Sequence, residues 1–222
     1  MYTSTFDNLT YEGACQGFNN YIIKGRSQPY PRELKLVKKY MDMFPNKNNT
    51  YLDIGGHIGT TALPYSRIFK NVIVYEPNMV SYNHLVNNIK INNCTNVIAK
   101  PVGVSNVISK AKVVKHGGNS GCYYIKDTIE DDAIDVIRLD DEKIYDSVDF
   151  IKIDTEGNEL YVLMGAKELI LKYKPLIQVE TNSTSNKLFN YDKQEIFNFM
   201  ADIGYKVFDD NGNDPLFYYD IS

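Results

Sequence analysis

The stretch Tyr51-Leu52-Asp53-Ile54-Gly55-Gly56-His57-Ile58-Gly59-Thr60-Thr61 reads as a strand, a glycine turn and the start of a helix. A dinucleotide-binding turn needs glycines at the spacing GxGxxG. Counting back from Gly59 and Gly56, the first of them would fall at Ile54, so that pattern fails. Asp53 closes the strand ahead of the glycines, where it would repel a pyrophosphate but attract a cation or a hydroxyl. The next apolar run, Val72-Ile73-Val74-Tyr75, ends in Glu76, 23 residues after Asp53. That is close to the offset of roughly 20 residues at which an acid holds ribose hydroxyls.

These features describe a nucleoside pocket. S-adenosylmethionine carries a sulfonium and an ammonium and no phosphate, so the charge pattern favours it over NAD. The helix start near Thr60 suits the methionine carboxylate. The glycines would let backbone approach the ligand closely. The alternative is a tight βα turn carrying a surface acid. His57 lies inside the turn, where it can bond the carboxylate end of the cofactor or serve local backbone groups.

Working outward, β-prone and helical patterns alternate. Leu34, Val37 and Met41 mark a helix over Arg32–Met43, ended by Pro45 and an asparagine cluster. After Tyr51–Ile54 come a helix over Thr60–Phe69, in which Pro64 is awkward, then Val72–Tyr75 (strand), Val80–Asn92 (helix) and Val97–Lys100 (strand). Val102 to Arg138 is less regular, with β-like pieces at Ala111–Lys115 and Ile134–Arg138 around the loop His116-Gly117-Gly118-Asn119-Ser120-Gly121. Phe150–Ile153 is a strand, Leu160 to Ile170 a helix, Leu176–Val179 a strand and Lys193–Ile203 a helix; Tyr205–Phe208 and Leu216–Ile221 close the chain as a hairpin. Such alternation implies parallel βαβ units in a doubly wound α/β sheet with an antiparallel C-terminal hairpin strand. Ligands of such sheets bind beyond the carboxyl ends of the strands, and Asp53, Glu76, Asp154 and Glu180 all converge there.

The 222 residues suit one domain, 1–222, with 1–45 expected as an N-terminal helical cap. Net charge of -4 and a pI near 5.4 argue against nucleic acid as a partner. No segment is apolar enough to span a bilayer, and the polar first ten residues lack a signal-peptide core. Cys15, Cys94 and Cys122 form no CxxC pair, so a reducing, cytoplasmic setting is expected. The abundant asparagine, as in Asn46-Lys47-Asn48-Asn49, reads as a coding bias and not a mechanism.

A second motif is Asp149-Phe150-Ile151-Lys152-Ile153-Asp154-Thr155-Glu156-Gly157-Asn158-Glu159. A lysine inside a parallel strand is costly unless paired, and Asp154 or Glu180 could pair with Lys152. Glu159 sits where a negative charge favours a helix start. In the third motif, Gln178-Val179-Glu180-Thr181-Asn182, another strand delivers an acid and an amide to the same rim. Asp154, Glu180 and Asn182 are hard oxygen ligands suited to Mg²⁺; the alternative is that Glu180 neutralises Lys152.

With these residues in view, the sequence resembles the FkbM-type methyltransferases, a branch of the class I S-adenosylmethionine-dependent superfamily. The D-x-G-A-N-x-G turn of that family stands as Asp53 to Gly59, with Gly56 and His57 in place of the usual Ala and Asn. The I-K-x-D-x-E-G-x-E signature stands as Ile151 to Glu159, followed by Leu163-Met164-Gly165-Ala166. The resemblance implies a mostly parallel seven-stranded class I sheet and O-methylation, often of a sugar hydroxyl or a related polyol. Glu76 would hold the ribose, Asp53 would lie near the methionine or ribose, and Asp154 would meet the methionine ammonium or a metal. Gly55, Gly56, His57, Gly59 and Thr60 complete the cofactor set. Asp154 and Glu180 are candidates for taking the acceptor proton or holding Mg²⁺, and Lys152 for stabilising an alkoxide. Tyr30, Arg32, Asn119 and Ser120 are candidate contacts to a small-molecule or glycan acceptor. A metal-dependent O-methyltransferase of another polyol, an NAD-dependent oxidoreductase and a non-catalytic binding module are the rival expectations.

Overall fold

A computed structural model describes residues 2–6, 8–13, 31–43, 47–115, 122–130, 132–143, 147–181, 189–210 and 212–220. The strands are β1 Tyr2–Phe6, β2 Leu9–Gly13, β3 Thr50–Ile54, β4 Asn71–Tyr75, β5 Val97–Lys100, β6 Gly103–Val104, β7 Ser109–Lys115, β8 Tyr123–Asp127, β9 Ile134–Ile137, β10 Phe150–Ile153, β11 Leu176–Val179, β12 Tyr205–Asp209 and β13 Leu216–Tyr219. The helices are α1 Pro31–Met43, α2 Ala62–Tyr65, α3 Met79–Ile91, α4 Glu159–Gly165, α5 Lys167–Tyr173 and α6 Lys193–Asp202.

Seven strands form the main sheet in the order β12-β13-β11-β10-β3-β4-β5. β3, β4, β5, β10 and β11 pair in parallel, and β13 runs antiparallel between β11 and β12. This is the expected doubly wound, mostly parallel sheet with its antiparallel C-terminal strand. The central strands are buried on both faces, which is why they read as near-continuous apolar runs. One face carries Leu52, Ile54, Ile73, Ile151, Ile153 and Ile177 against α4, α5 and α6. The other carries Tyr51, Val72, Val74, Phe150 and Leu176 against α1, α2, α3 and the β1–β2 hairpin. On that second face Tyr51 and Phe150 stack at 5.0 Å.

Three expectations are corrected. The 1–45 cap is helical only in α1 among the described residues; residues 2–6 and 9–13 are an antiparallel hairpin. The helix expected over Thr60–Phe69 shortens to α2 and a run of turns, with Pro64 inside its single turn, where a missing N–H costs least. The helix through Ile170 breaks at Ala166 into α4 and α5. The break lies where Gly165 meets the chain after β6: a Cβ there would stand 2.1 Å from the Ser105 carbonyl oxygen. The irregular middle region adds a four-stranded sheet, β6-β9-β7-β8. Among the described residues no helix is long and apolar enough to cross a membrane.

Candidate functional site

The site begins with a polar row inside an apolar face. Parallel register places Asp53 of β3 beside Lys152 of β10, and Lys152 beside Gln178 of β11. One residue pair earlier on each strand the same face is Tyr51, Phe150 and Leu176, so the change from apolar to polar occurs abruptly at the carboxyl ends. Asp53 is fully buried, and neither carboxylate oxygen completes a hydrogen bond of ordinary geometry. Burial pushes its carboxyl up to about 6, against the pull of the Lys152 ammonium and the Tyr51 hydroxyl. Lys152 is bonded to Asp154 Oδ2 at 2.7 Å. Burial alone would lower the lysine, but Asp154 and Asp53 more than offset it and hold the ammonium above the ordinary lysine range. Asp154 is therefore the partner that a lysine in a central strand requires.

The glycine turn is anchored to the neighbouring strand. Gly55 and Gly56 donate backbone N–H groups to the Tyr75 carbonyl at 2.9 and 3.3 Å, and Gly59 donates to the Gly56 carbonyl at 2.9 Å. The room left by each missing Cβ is filled by protein. A Cβ on Gly55 would meet the Asp154 carbonyl oxygen at 1.8 Å, one on Gly56 the Val74 side chain at 2.0 Å, and one on Gly59 the Leu63 side chain at 2.4 Å. The glycines thus serve close packing of the turn on β10, β4 and α2. Gly55 and Gly59 also adopt positive φ. His57 does the same at φ 50, a region that Asn and His enter more readily than other side chains. That accounts physically for histidine at a place where the D-x-G-A-N-x-G pattern has asparagine. Thr60 follows at the end of the turn, half-buried.

Glu76 ties this turn to the start of α3. Its Oε2 accepts from His57 N–H and its Oε1 from Asn78 N–H, both at 2.8 Å. Asn78 in turn caps α3 by accepting from Val80 N–H at 2.9 Å. Burial raises the Glu76 carboxyl to about 7, while the two N–H donors oppose the rise and Asp53 and Asp154 add to it.

Across the sheet, the turn after β10 closes around Glu159. Its Oε1 accepts from Thr155 N–H, Thr155 Oγ1 and Gly157 N–H, each at 2.9 Å, and its Oε2 from the Tyr191 hydroxyl at 2.9 Å. Glu159 is a buried pin of its own loop, which agrees with a local structural reading of that acid. Glu180 follows β11, with its N–H on the Ile153 carbonyl at 2.9 Å. Its Oε2 is buried with no hydrogen bond. Burial, with Asp154, Glu159 and Glu156 nearby, raises its proton affinity well above that of an ordinary glutamate, and Lys152 only partly opposes this.

Asp53, the glycine turn, Glu76, Lys152, Asp154 and Glu180 thus converge on one rim. Arg32 falls in the first turn of α1. Tyr30, Asn119, Ser120 and Asn182 lie outside the described residues. The Mg²⁺ set Asp154, Glu180 and Asn182 finds no support: among the described residues no group of three or more His, Cys, Asp or Glu side chains is placed to hold a metal ion. Lys152 already occupies Asp154 as its cation. Two residues carry roles that the sequence reading did not assign. Gln178 completes the polar row, and Asn88, fully buried on α3, donates to the Ile58 carbonyl of the glycine turn at 2.9 Å. The repeat of asparagine at positions 88 and 92, four apart on one helix face, was the available signal.

Comparison with known proteins places this geometry. The family model for the methyltransferase FkbM domain matches residues 53–207. None of the curated proteins matches the sequence. Among solved structures, the methyltransferase FkbM from Methylobacillus flagellatus is 22% identical with a TM-score of 0.57 over 78% of this chain. This chain spans only 44% of the length of that protein. Magnesium protoporphyrin IX methyltransferase from Synechocystis, solved with bound SAM, is 8% identical with a TM-score of 0.52, covering 94% of this chain and 86% of that one. At such identities these likenesses speak for the fold. The family match covers well over half of the sequence, from Asp53 into β12, and includes both signature turns: the chain belongs to the FkbM methyltransferase domain family.

Proposed function

We propose that this chain is an S-adenosylmethionine-dependent O-methyltransferase acting on a hydroxyl of a neutral sugar or glycan. The observation that carries the cofactor assignment is the excess of buried and half-buried acid at the strand ends. Among the described residues Lys152 is the one cation bonded to any of Asp53, Glu76, Asp154 and Glu180, and Asp53 and Glu180 retain buried carboxylate oxygens without hydrogen bonds. Such a rim suits a cationic ligand and disfavours the pyrophosphate of NAD. When bound, S-adenosylmethionine supplies a methyl carbon on a positively charged sulfur.

The chain's own residues divide the remaining work. Glu76 fixes the turn through His57 N–H, and each of its oxygens keeps a further acceptor position for ribose hydroxyls. Lys152 holds Asp154 in place as a carboxylate for the methionine ammonium. Glu180, ionised once the cationic cofactor occupies the rim, takes the hydroxyl proton as the acceptor oxygen forms its bond to the methyl carbon and the carbon–sulfur pair returns to sulfur. The positive charge lost at sulfur is then balanced by the proton gained at Glu180. Lys152, the candidate partner for an alkoxide, is already bonded to Asp154. The acidic rim also favours neutral acceptors over phosphorylated or carboxylated ones.

The test is transfer of labelled methyl from S-adenosylmethionine to a panel of neutral and phosphorylated mono- and oligosaccharides, with and without EDTA. The proposal expects base-stable label on a neutral acceptor, unchanged by EDTA and reduced at least about 100-fold by Glu180→Gln. Label only on carboxylates or amines, or full activity in Glu180→Gln, would overturn it.

A further inference from the structure

The hairpin β1–β2 lies outside the segment that matches the family, yet it is bonded to the cofactor turn through one side chain. β1 pairs with one edge of β2, and the other edge of β2 meets α3. There the side chains of Asn88 and Asn92, one helical turn apart, act as a substitute strand. Asn92 Oδ1 accepts from Thr10 N–H at 2.8 Å and its Nδ2 donates to the Thr10 carbonyl at 2.7 Å. Asn88 Oδ1 accepts from Glu12 N–H at 2.7 Å and its Nδ2 donates to the Glu12 carbonyl at 3.2 Å. The match is geometric: alternate residues of a strand present their N–H and C=O groups to the same side, and residues four apart share a helix face. Leu9 and Tyr11 meanwhile enter the second core cluster.

Asn88 uses its remaining amide hydrogen on the Ile58 carbonyl at 2.9 Å. Ile58 sits between His57, whose N–H is held by Glu76, and Gly59, which packs against Leu85 of α3. The cofactor turn is therefore held from three directions: Tyr75 on β4, Glu76 beyond it, and Asn88 on α3. Both hydrogens of the buried Asn88 amide are used and its oxygen accepts from Glu12 N–H, so losing the hairpin would leave that oxygen without this donor, at a cost that favours rearrangement of the side chain.

We propose that Asn88 is a positioning residue for the cofactor turn and that, through it, docking of the N-terminal hairpin and binding at the turn are thermodynamically linked. The inference rests on the assignment of that turn to S-adenosylmethionine. Linkage is reciprocal, so a ligand that tightens the turn must stabilise the docked hairpin by the same factor. The experiment combines calorimetry with S-adenosylhomocysteine and amide hydrogen exchange at Thr10 and Glu12 on the full-length chain. Asn92→Ala serves as the variant that loosens the hairpin without touching the turn. Ligand is expected to slow exchange at both amides several-fold in the wild type. Asn92→Ala should weaken ligand binding by up to that several-fold factor, reached where its hairpin is undocked, and Asn88→Ala by more, at least about 10-fold. Unchanged exchange at both amides on saturation, or unchanged affinity in an Asn92→Ala chain whose Glu12 amide exchanges as freely as in an undocked hairpin, would overturn the linkage while leaving the cofactor assignment standing. A wild-type chain that fails to bind would overturn both.

Discussion

Two turns leave the adjacent strands β3 and β10, and each is organised by a glutamate, but the two glutamates are spent differently. Glu159 comes from the helix its own turn leads into and accepts from Thr155 twice, from Gly157 and from Tyr191. A carboxylate has about four acceptor positions, so Glu159 is saturated by protein. Glu76 comes from beyond the next strand and accepts only from His57 and Asn78. It stands on the same rim as Asp53 and Asp154, which push its carboxyl further upward. A motif acid saturated by its own loop serves folding, whereas one with open positions among other acids can answer a ligand.

The strongest way to break this comparison is Glu159→Ala. It strands two backbone N–H groups and the Tyr191 hydroxyl in a buried loop. We expect a loss of about 3–5 kcal/mol of stability, measured as a lower urea midpoint at unchanged slope. A loss below about 1 kcal/mol would show that the loop does not depend on its pin.

Next in size is the pH dependence of the unliganded protein. Glu76 holds its proton to about 7 and Asp53 to about 6, both above their ordinary values. The folded state therefore binds more protons than the unfolded state between roughly pH 4 and 7, and stability falls as pH rises through that window, by up to about 1.4 kcal/mol per pH unit for each group. Glu76→Gln should flatten the part between about pH 4.5 and 7, as read from urea midpoints across pH. A profile that rises in that window and is unaltered by the substitution would reverse the electrostatic account.

The smallest effect is expected at His57. Its φ of 50 suits asparagine equally well, so His57→Asn should change stability by no more than about 0.5 kcal/mol and leave ligand affinity intact. A clear loss of affinity in that variant would assign the imidazole itself to the cofactor.

The same contrast explains what was legible in the sequence. The parallel strands are readable because burial on both faces makes them continuous apolar runs, and the acids at their ends break those runs where the acidic rim begins. Lys152 was readable as a charge that needed a partner, and the partner is Asp154. The glycines were only half legible: their spacing excluded a dinucleotide turn, but Asp154, Val74 and Leu63 fill the space beside them. The hairpin was not legible, since β2 is short and one edge pairs with asparagine side chains 76 to 82 residues away. Nor was β8, whose five residues are nowhere fully buried and so carry no clear alternation. Asparagine abundance reads in the sequence as coding bias. At positions 78, 88, 92 and 96 it caps a helix, docks a hairpin and accepts or donates across loops.

The claim at the centre is that the open acid, Glu76, belongs to a cofactor site and the saturated one, Glu159, does not. Calorimetric titration of S-adenosylhomocysteine into wild type and Glu76→Gln tests it most directly. The account predicts saturable one-to-one binding by the wild type and a loss of at least about 10-fold in the variant, which corresponds to about 1.4 kcal/mol. Equal affinity in the two proteins, or no binding to the wild type, would contradict it.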